Sequence, residues 1–160
     1  MIKLPEHIKI EDVPIEKRYK SITAGLVHRI KLLYEAVYEK FGEEGLALIR
    51  EVGHNYGLEI AERARKSGVG DDIESVAHYV IRIFNTMRGE GEVVEFTGRA
   101  VRIRVYRCPY PWECPEVCEA HTQMEKTLVE TLGKNLSYTI PKCIPRGDPY
   151  CDHLIEYKEP

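Results

Sequence analysis

From about Ile15 to Phe41 the apolar positions Ile22, Leu26, Ile30, Leu33 and Val37 recur at steps of three and four, the period of one helix face. Gly42 ends or kinks that helix. A second helix opens near Glu43 and carries Leu46, Ile49, Val52, Tyr56 and Ile60 until KSGVG at 66–70 breaks it. Inside it stands GHNYG, with Gly53 and Gly57 four residues apart. Each glycine costs a helix ~1 kcal/mol relative to alanine, so close approach of another helix or of a ligand is expected there. Asp71 and Asp72 read as the N-cap pair of a third helix, whose buried stripe is Ile73, Val76, Val80, Ile83, Phe84 and Met87.

At RGEGE (88–92) the period falls to two. Val94 and Phe96, then Val101, Ile103 and Val105, alternate with polar neighbours on either side of TGRA (97–100), which predicts an antiparallel hairpin with one wet face. Arg102, Arg104 and Arg107 on its outer side read as solvated charges. The proline-rich CPYPWECP (108–115) cannot continue a strand. Pro115 suits the first turn of a helix that runs to about Leu132 and stops at Gly133. Leu136, Tyr138 and Ile140 begin a third strand, interrupted by Pro141. IPRGDPY is a turn with Asp148 as its cap, and the last strand carries Cys151, His153 and Ile155. Residues 1–14, with Pro5 and Pro14, are an extended lead-in. The expected architecture is α+β, a single domain over 1–160: N-terminal helices packed on a four-stranded antiparallel sheet, with one helix inserted between two hairpins.

Composition narrows this little. The 160 residues are 43% apolar and 31% charged with net charge −3, ordinary values for a chain that buries a core. No apolar run approaches the ~20 residues that span a bilayer, and the N-terminus is too charged for a signal peptide, so a cytoplasmic protein with no membrane partner is expected. The acidic balance argues against nucleic acid. Abundant Glu and Lys beside a single Gln (Gln123) and three Asn is a bias seen in proteins of thermophiles.

The five cysteines change the picture more. Cys108, Cys114, Cys118, Cys143 and Cys151 all fall between Arg107 and His153. Helical spacing puts Cys114, Cys118, His121 and Glu125 on one stripe, and Cys118 in a first turn, where the helix dipole favours thiolate. Cys143 and Cys151 flank a turn that can bring them together. Three or four of these groups converging would bind Zn²⁺ tetrahedrally. Buried core thiols, a disulfide that leaves at least one cysteine over, and an iron–sulfur site using four of the five all stay open. If there is catalysis, Cys118 as thiolate or a metal-bound water is the nucleophile, with His121 or Glu125 as acid–base partner. His54, Tyr56, Gly57, Tyr79 and Phe84 are the candidate walls of a ligand pocket, against the simpler reading that they are core and surface. Phosphate loops, nucleophile elbows and paired zinc-protease histidines do not occur.

GHNYGLEIAERA, RIRVYRCPY and the closing IPKCIPRGDPYCDHLIE together resemble the 4-vinyl-reductase domain family of predicted hydrocarbon-binding proteins. They also resemble the neighbouring L-2-amino-thiazoline-4-carboxylic acid hydrolase-like proteins, which the Arg-Cys-Pro and Gly-Asp-x-x-Cys motifs favour. The resemblance spans nearly the whole chain. It implies a homodimer with an apolar pocket between helices and sheet, and a zinc ion beside that pocket. The zinc ligands it implies are Cys118, Cys143 and Cys151, with a glutamate whose place is taken here by Ile140, so that either Cys114 or His121 supplies the fourth or the metal is absent or different. The function expected is binding of an apolar or aromatic small molecule beside a zinc site. The alternative is hydrolysis of a small cyclic C–N or C–S compound.

Overall fold

The computed structural model describes residues 12–87 and 89–159; most of the expected lead-in, and Arg88 of the RGEGE segment, lie outside them. Three helices come first: α1 (Ile15–Phe41), α2 (Glu43–Lys66) and α3 (Ile73–Thr86). The hairpin β1 (Glu92–Phe96) and β2 (Ala100–Val105) follows, then α4 (Pro115–His121) and α5 (Gln123–Leu132). The chain closes with β3 (Leu136–Lys142), a 3₁₀ turn at Ile144–Arg146, and β4 (Cys151–Tyr157). The strands form one antiparallel sheet in the order β1-β2-β4-β3, so the second hairpin docks on the first through β4. This is the α+β architecture expected. Among the described residues no helix is long and apolar enough to cross a membrane.

The helix ends follow the sequence chemistry. Gly42, at φ +56°, takes the sharp corner between α1 and α2, and the Asp72 carboxylate caps α3 by accepting from Ser75 N–H at 2.9 Å. Pro115 opens α4. The single helix expected from Pro115 to Leu132 is two segments, with Thr122 ending α4 and its hydroxyl turned back to the Glu119 carbonyl.

The glycine pair in α2 answers to a helix. A Cβ on Gly57 would stand 2.6 Å from the Met124 carbonyl oxygen and 2.8 Å from Thr127 Cβ, and one on Gly53 would stand 3.2 Å from Met124 N. The missing side chains let α2 lie directly on α5, backbone against backbone.

Two expectations of facing fail. On α1, Ile22, Leu26 and Leu33 are exposed, while Val27 and Lys31 are buried and Ile30, Tyr34 and Val37 half-buried. The inward face is rotated from the most apolar stripe, so that Lys31 can bond Glu35 at 2.7 Å and Glu113 at 3.1 Å. On β1, Val93, Val94 and Phe96 are all exposed, because this is an edge strand with a register irregularity between Val93 and Glu95. Nor is Arg104 a solvated charge. It forms a bidentate pair with buried Asp152 (2.8 and 3.0 Å) and lies 3.7 Å over the Tyr150 ring.

The core has two lobes. One packs Ile60, Ala64, Val76 and Val80 of the helices on Ile103, Leu136 and Ile155 of the sheet. The other gathers Leu46, Ile49, Trp112, Val117 and three cysteines. Phe84 and Ile140 pack against both, and the candidate site lies at that seam.

Candidate functional site

At the seam is a narrow cavity of about 80 Å³, walled by the end of α3, the segment 108–112, the α4–α5 junction and strands β2 to β4. An engineered apolar cavity that holds benzene measures ~150 Å³, so this space suits one small ring at most without adjustment. Its apolar walls include Ile83, Phe84, Met87, Val105 and Met124. Five groups able to do chemistry meet there: Cys108, Cys118, His121, Glu125 and His153, with Cys143 and Cys151 beside them.

The polar side is built by the helical stripe. Cys118, His121 and Glu125 project from α4 and α5 at steps of three and four, and the break at Thr122 leaves them on the same side. Cys114 departs from the expected stripe, because its thiol turns to the Glu116 carboxylate at 3.0 Å. His121 and Glu125 are half-buried residues whose polar ends, His121 Nε2 and Glu125 Oε2, are closed off from solvent and have no hydrogen-bond partner among the described residues. Burial pushes the Glu125 carboxyl up to about 7 and the His121 imidazole down to about 4, so the ring is neutral and the acid titrates near neutrality.

Aromatic rings fix His121. Its centroid lies 4.5 Å from that of Tyr110, 4.9 Å from that of Trp112 and 6.0 Å from that of Tyr34. Trp112 is nearly parallel to both tyrosines, 5.5 Å from Tyr110 and 5.9 Å from Tyr34. Tyr110 and Trp112 are site residues that the sequence reading passed over as part of a proline-rich loop. The signal was there: in PYPW the prolines hold an extended chain, which sends alternate residues to one side. The segment is tied down by Lys31 to Glu113 and by Glu113 N–H to Glu35 (3.3 Å). Opposite, His153 bonds the Tyr138 hydroxyl through Nδ1 (2.5 Å) and packs on Phe84 at 4.6 Å between centroids. Burial holds His153 at about 4, hence neutral.

Of the three cysteines in the expected metal set, two are in sulfur contact. Cys118 Sγ and Cys143 Sγ are 3.7 Å apart, and Cys151 Sγ accepts from Ile144 N–H at 3.3 Å. Asp148 caps the turn as expected, accepting from Cys143 N–H at 2.7 Å. The tetrahedral edge of a zinc–thiolate site with ~2.3 Å bonds is close to this sulfur separation. Ile140 carries no donor, Cys114 faces away, and among the described residues no group of three His, Cys, Asp or Glu is poised around one point. All five cysteines are free thiols. The hydrogen bond with Cys118 is the chief cause that pushes the Cys143 thiol up to about 11, and burial pushes Cys108 up to about 12. These are neutral thiols rather than ready nucleophiles.

Of the expected pocket walls, only Phe84 lines this cavity. His54 is exposed, with Nδ1 3.1 Å from Thr127 Oγ1, and Gly57 is used up in the α2–α5 contact. Tyr56 is exposed under Arg63, and Tyr79 packs on the core beneath Arg82. At Gly53 and Gly57 the close approach is that of α5.

Antiparallel sheet, helices across one face and an enclosed cavity between them define a class of α+β cavity domains. Within it, a profile of the L-2-amino-thiazoline-4-carboxylic acid hydrolase family matches residues 19–154, and the chain belongs to that family. No curated protein sequence compared with it matches. Two solved structures share its fold. One is a trafficking protein particle complex subunit 3 from Naegleria fowleri, covalently bound to palmitic acid. Its TM-score is 0.65 at 14% identity, covering 88% of this chain and 97% of that one. The other is the phenol-responsive sensory domain of the transcription activator PoxR with phenol. There the TM-score is 0.58 at 17% identity, over 84% of this chain and 74% of that one.

Proposed function

We propose that the chain is a small-molecule-binding domain whose ligand occupies the cavity between α3, α4–α5 and the sheet. The observation that carries the reading is the pair His121 Nε2 and Glu125 Oε2, buried without partners among the described residues in a largely apolar space. An unmet buried polar group costs roughly 1–3 kcal/mol, and a bound molecule that meets both recovers that cost. The two proteins of similar fold hold palmitic acid and phenol, which supports ligand binding as a use of this architecture. Thermal melting with a panel of single-ring compounds tests it: a ligand at 100 times its Kd stabilises by ~2.7 kcal/mol. A panel of small rings that leaves the melting temperature unmoved would contradict it.

A second reading, hydrolysis of a small cyclic C–N or C–S compound, is favoured by family membership together with Glu125. A carboxyl held at about 7 suits a general base that takes a proton from water as its oxygen adds to the ring carbon. Among the described residues no imidazole or carboxylate hydrogen-bonds Cys118, so Glu125 is a better candidate than a cysteine nucleophile. Turnover of 2-amino-thiazoline-4-carboxylate, lost by about 100-fold or more in Glu125→Gln, is the expected result under this reading.

Two finer features belong to the same proposal. Zinc on Cys118, Cys143 and Cys151 is supported by the 3.7 Å sulfur approach, and metal analysis of protein purified without added metal checks it. A homodimer is supported by the exposed apolar stripe on α1, continued by Leu48 and Val52 of α2.

A further inference from the structure

One hydrogen bond in the sheet wall of the cavity has a single satisfactory direction. Tyr138 on β3 pairs with Ile155 of β4, and His153, two residues before Ile155, lies on the same face within reach of its hydroxyl. The hydroxyl oxygen is 2.5 Å from His153 Nδ1, and both side chains are buried. A tyrosine hydroxyl has one proton and a neutral imidazole one N–H, so one of the two groups donates. Among the described residues the Tyr138 hydroxyl bonds His153 alone. Were Nδ1 the donor, the tyrosine proton would be buried with nothing to meet it, a cost comparable to a lost hydrogen bond. Tyr138 therefore donates, Nδ1 accepts, and the ring proton sits on Nε2. Burial raises the Tyr138 hydroxyl well above its ordinary value, so it keeps the proton that it donates. A protonated ring would carry the Nε2 proton as well, so the assignment does not turn on the charge of His153.

His153 is a wall of the cavity and Tyr138 is not, so the Nδ1 edge of the ring is turned toward β3 and the opposite edge, with Nε2, toward the cavity. We propose that His153 is a fixed hydrogen-bond donor to the ligand, held so by Tyr138 as positioning residue. The cavity then takes small rings with an acceptor atom, a ring nitrogen or a carbonyl or carboxyl oxygen, on the edge that meets the sheet. This rests on the binding reading given above and narrows it to a ligand class. Phe84, 4.6 Å away between centroids, braces the imidazole from α3. On the opposite wall Glu125 Oε2 and His121 Nε2 are without partners among the described residues. A 2-aminothiazole offers a group to each wall, its ring nitrogen to His153 and its amino group to the α4–α5 side. A hydrocarbon ring leaves both unmet.

Wild-type protein with isotope-labelled histidines gives the protonation pattern directly, by long-range nitrogen–proton correlation at neutral pH. A proton on His153 Nε2 is expected, and a bare Nε2 overturns the proposal. In Tyr138→Phe the ring should relax to a mixture of both tautomers; an unchanged pattern would remove Tyr138 from its role. Trp112, the single tryptophan of the sequence, lines the cavity and reports binding by its fluorescence. Thiazole and thiophene are rings of nearly one size that differ in the acceptor nitrogen. Thiazole is expected to bind about tenfold tighter, the worth of one hydrogen bond. Tyr138→Phe combined with His153→Leu removes both partners and leaves neither orphaned. That double variant should hold thiophene within about twofold of wild type, which shows that it is folded, and lose the preference for thiazole. Equal affinity for the two rings in the wild type, or a preference that survives in the double variant, overturns the donor while the binding site stands. If neither ring changes the fluorescence, the binding reading falls and the donor role with it.

Discussion

Glu125 is the residue on which most of this account turns. Its carboxyl is raised from 4.5 to about 7, so the folded state holds a proton that the unfolded state gives up. Its contribution is therefore intact below about pH 4.5 and is lost as pH rises through 7, by roughly 3 kcal/mol at the upper end. Glu125→Gln, which keeps the shape without the charge, should stabilise the protein at pH 8 and do nothing at pH 4, as read by denaturant unfolding. A stabilisation equal at both values would mean that Glu125 is not the titrating group. The place of Glu125, His121 and Cys118 on one wall was legible, because steps of three and four on a helix leave little freedom. That Cys114 turns outward was not, since it precedes the first helical residue and follows no period. Tyr110 and Trp112 were missed because their placement depends on proline geometry in a segment without secondary structure.

At the scale of elements, helix starts and stops follow from Gly42, Asp72, Pro115 and Gly133, whose chemistry is local. Faces are less legible. The α1 stripe is apolar enough to read as buried, yet what buries a face is the partner it meets, and α1 meets the rest of the molecule through Val27 and Lys31. Strand β3 runs through Pro141 because the pairing with β4 slips between Thr139 and Lys142, where a residue without N–H is tolerated. The α2–α5 contact makes a sharp prediction. Gly57→Ala would set a Cβ against the Met124 carbonyl and force the helices apart, costing ~1–3 kcal/mol despite alanine's better helix propensity. Gly53→Ala, whose Cβ would stand 3.2 Å from Met124 N, should cost less. Equal effects in equilibrium unfolding would show that α5 does not lie where it is described.

For the whole molecule, the sheet order and the docking of two hairpins through β4 turn local signals into a cavity. Its contents could be read only in part, because its walls are drawn from β2, the α4–α5 junction and β4, with Val105 and His153 48 residues apart. The exposed apolar face is the largest unspent feature: Ile22 is 60%, Leu26 54% and Leu33 59% exposed. If a second copy covers it, Leu26→Glu with Leu33→Glu should halve the mass seen by light scattering while leaving the fold intact; unchanged mass would assign that face to something else. The most direct test of the central claim is calorimetric titration of 2-aminothiazole into the wild-type protein and into Ile83→Phe, which fills the cavity from α3. One-to-one binding in the wild type that disappears in the folded variant is the predicted result. Binding of equal strength in both would place the ligand somewhere other than this cavity.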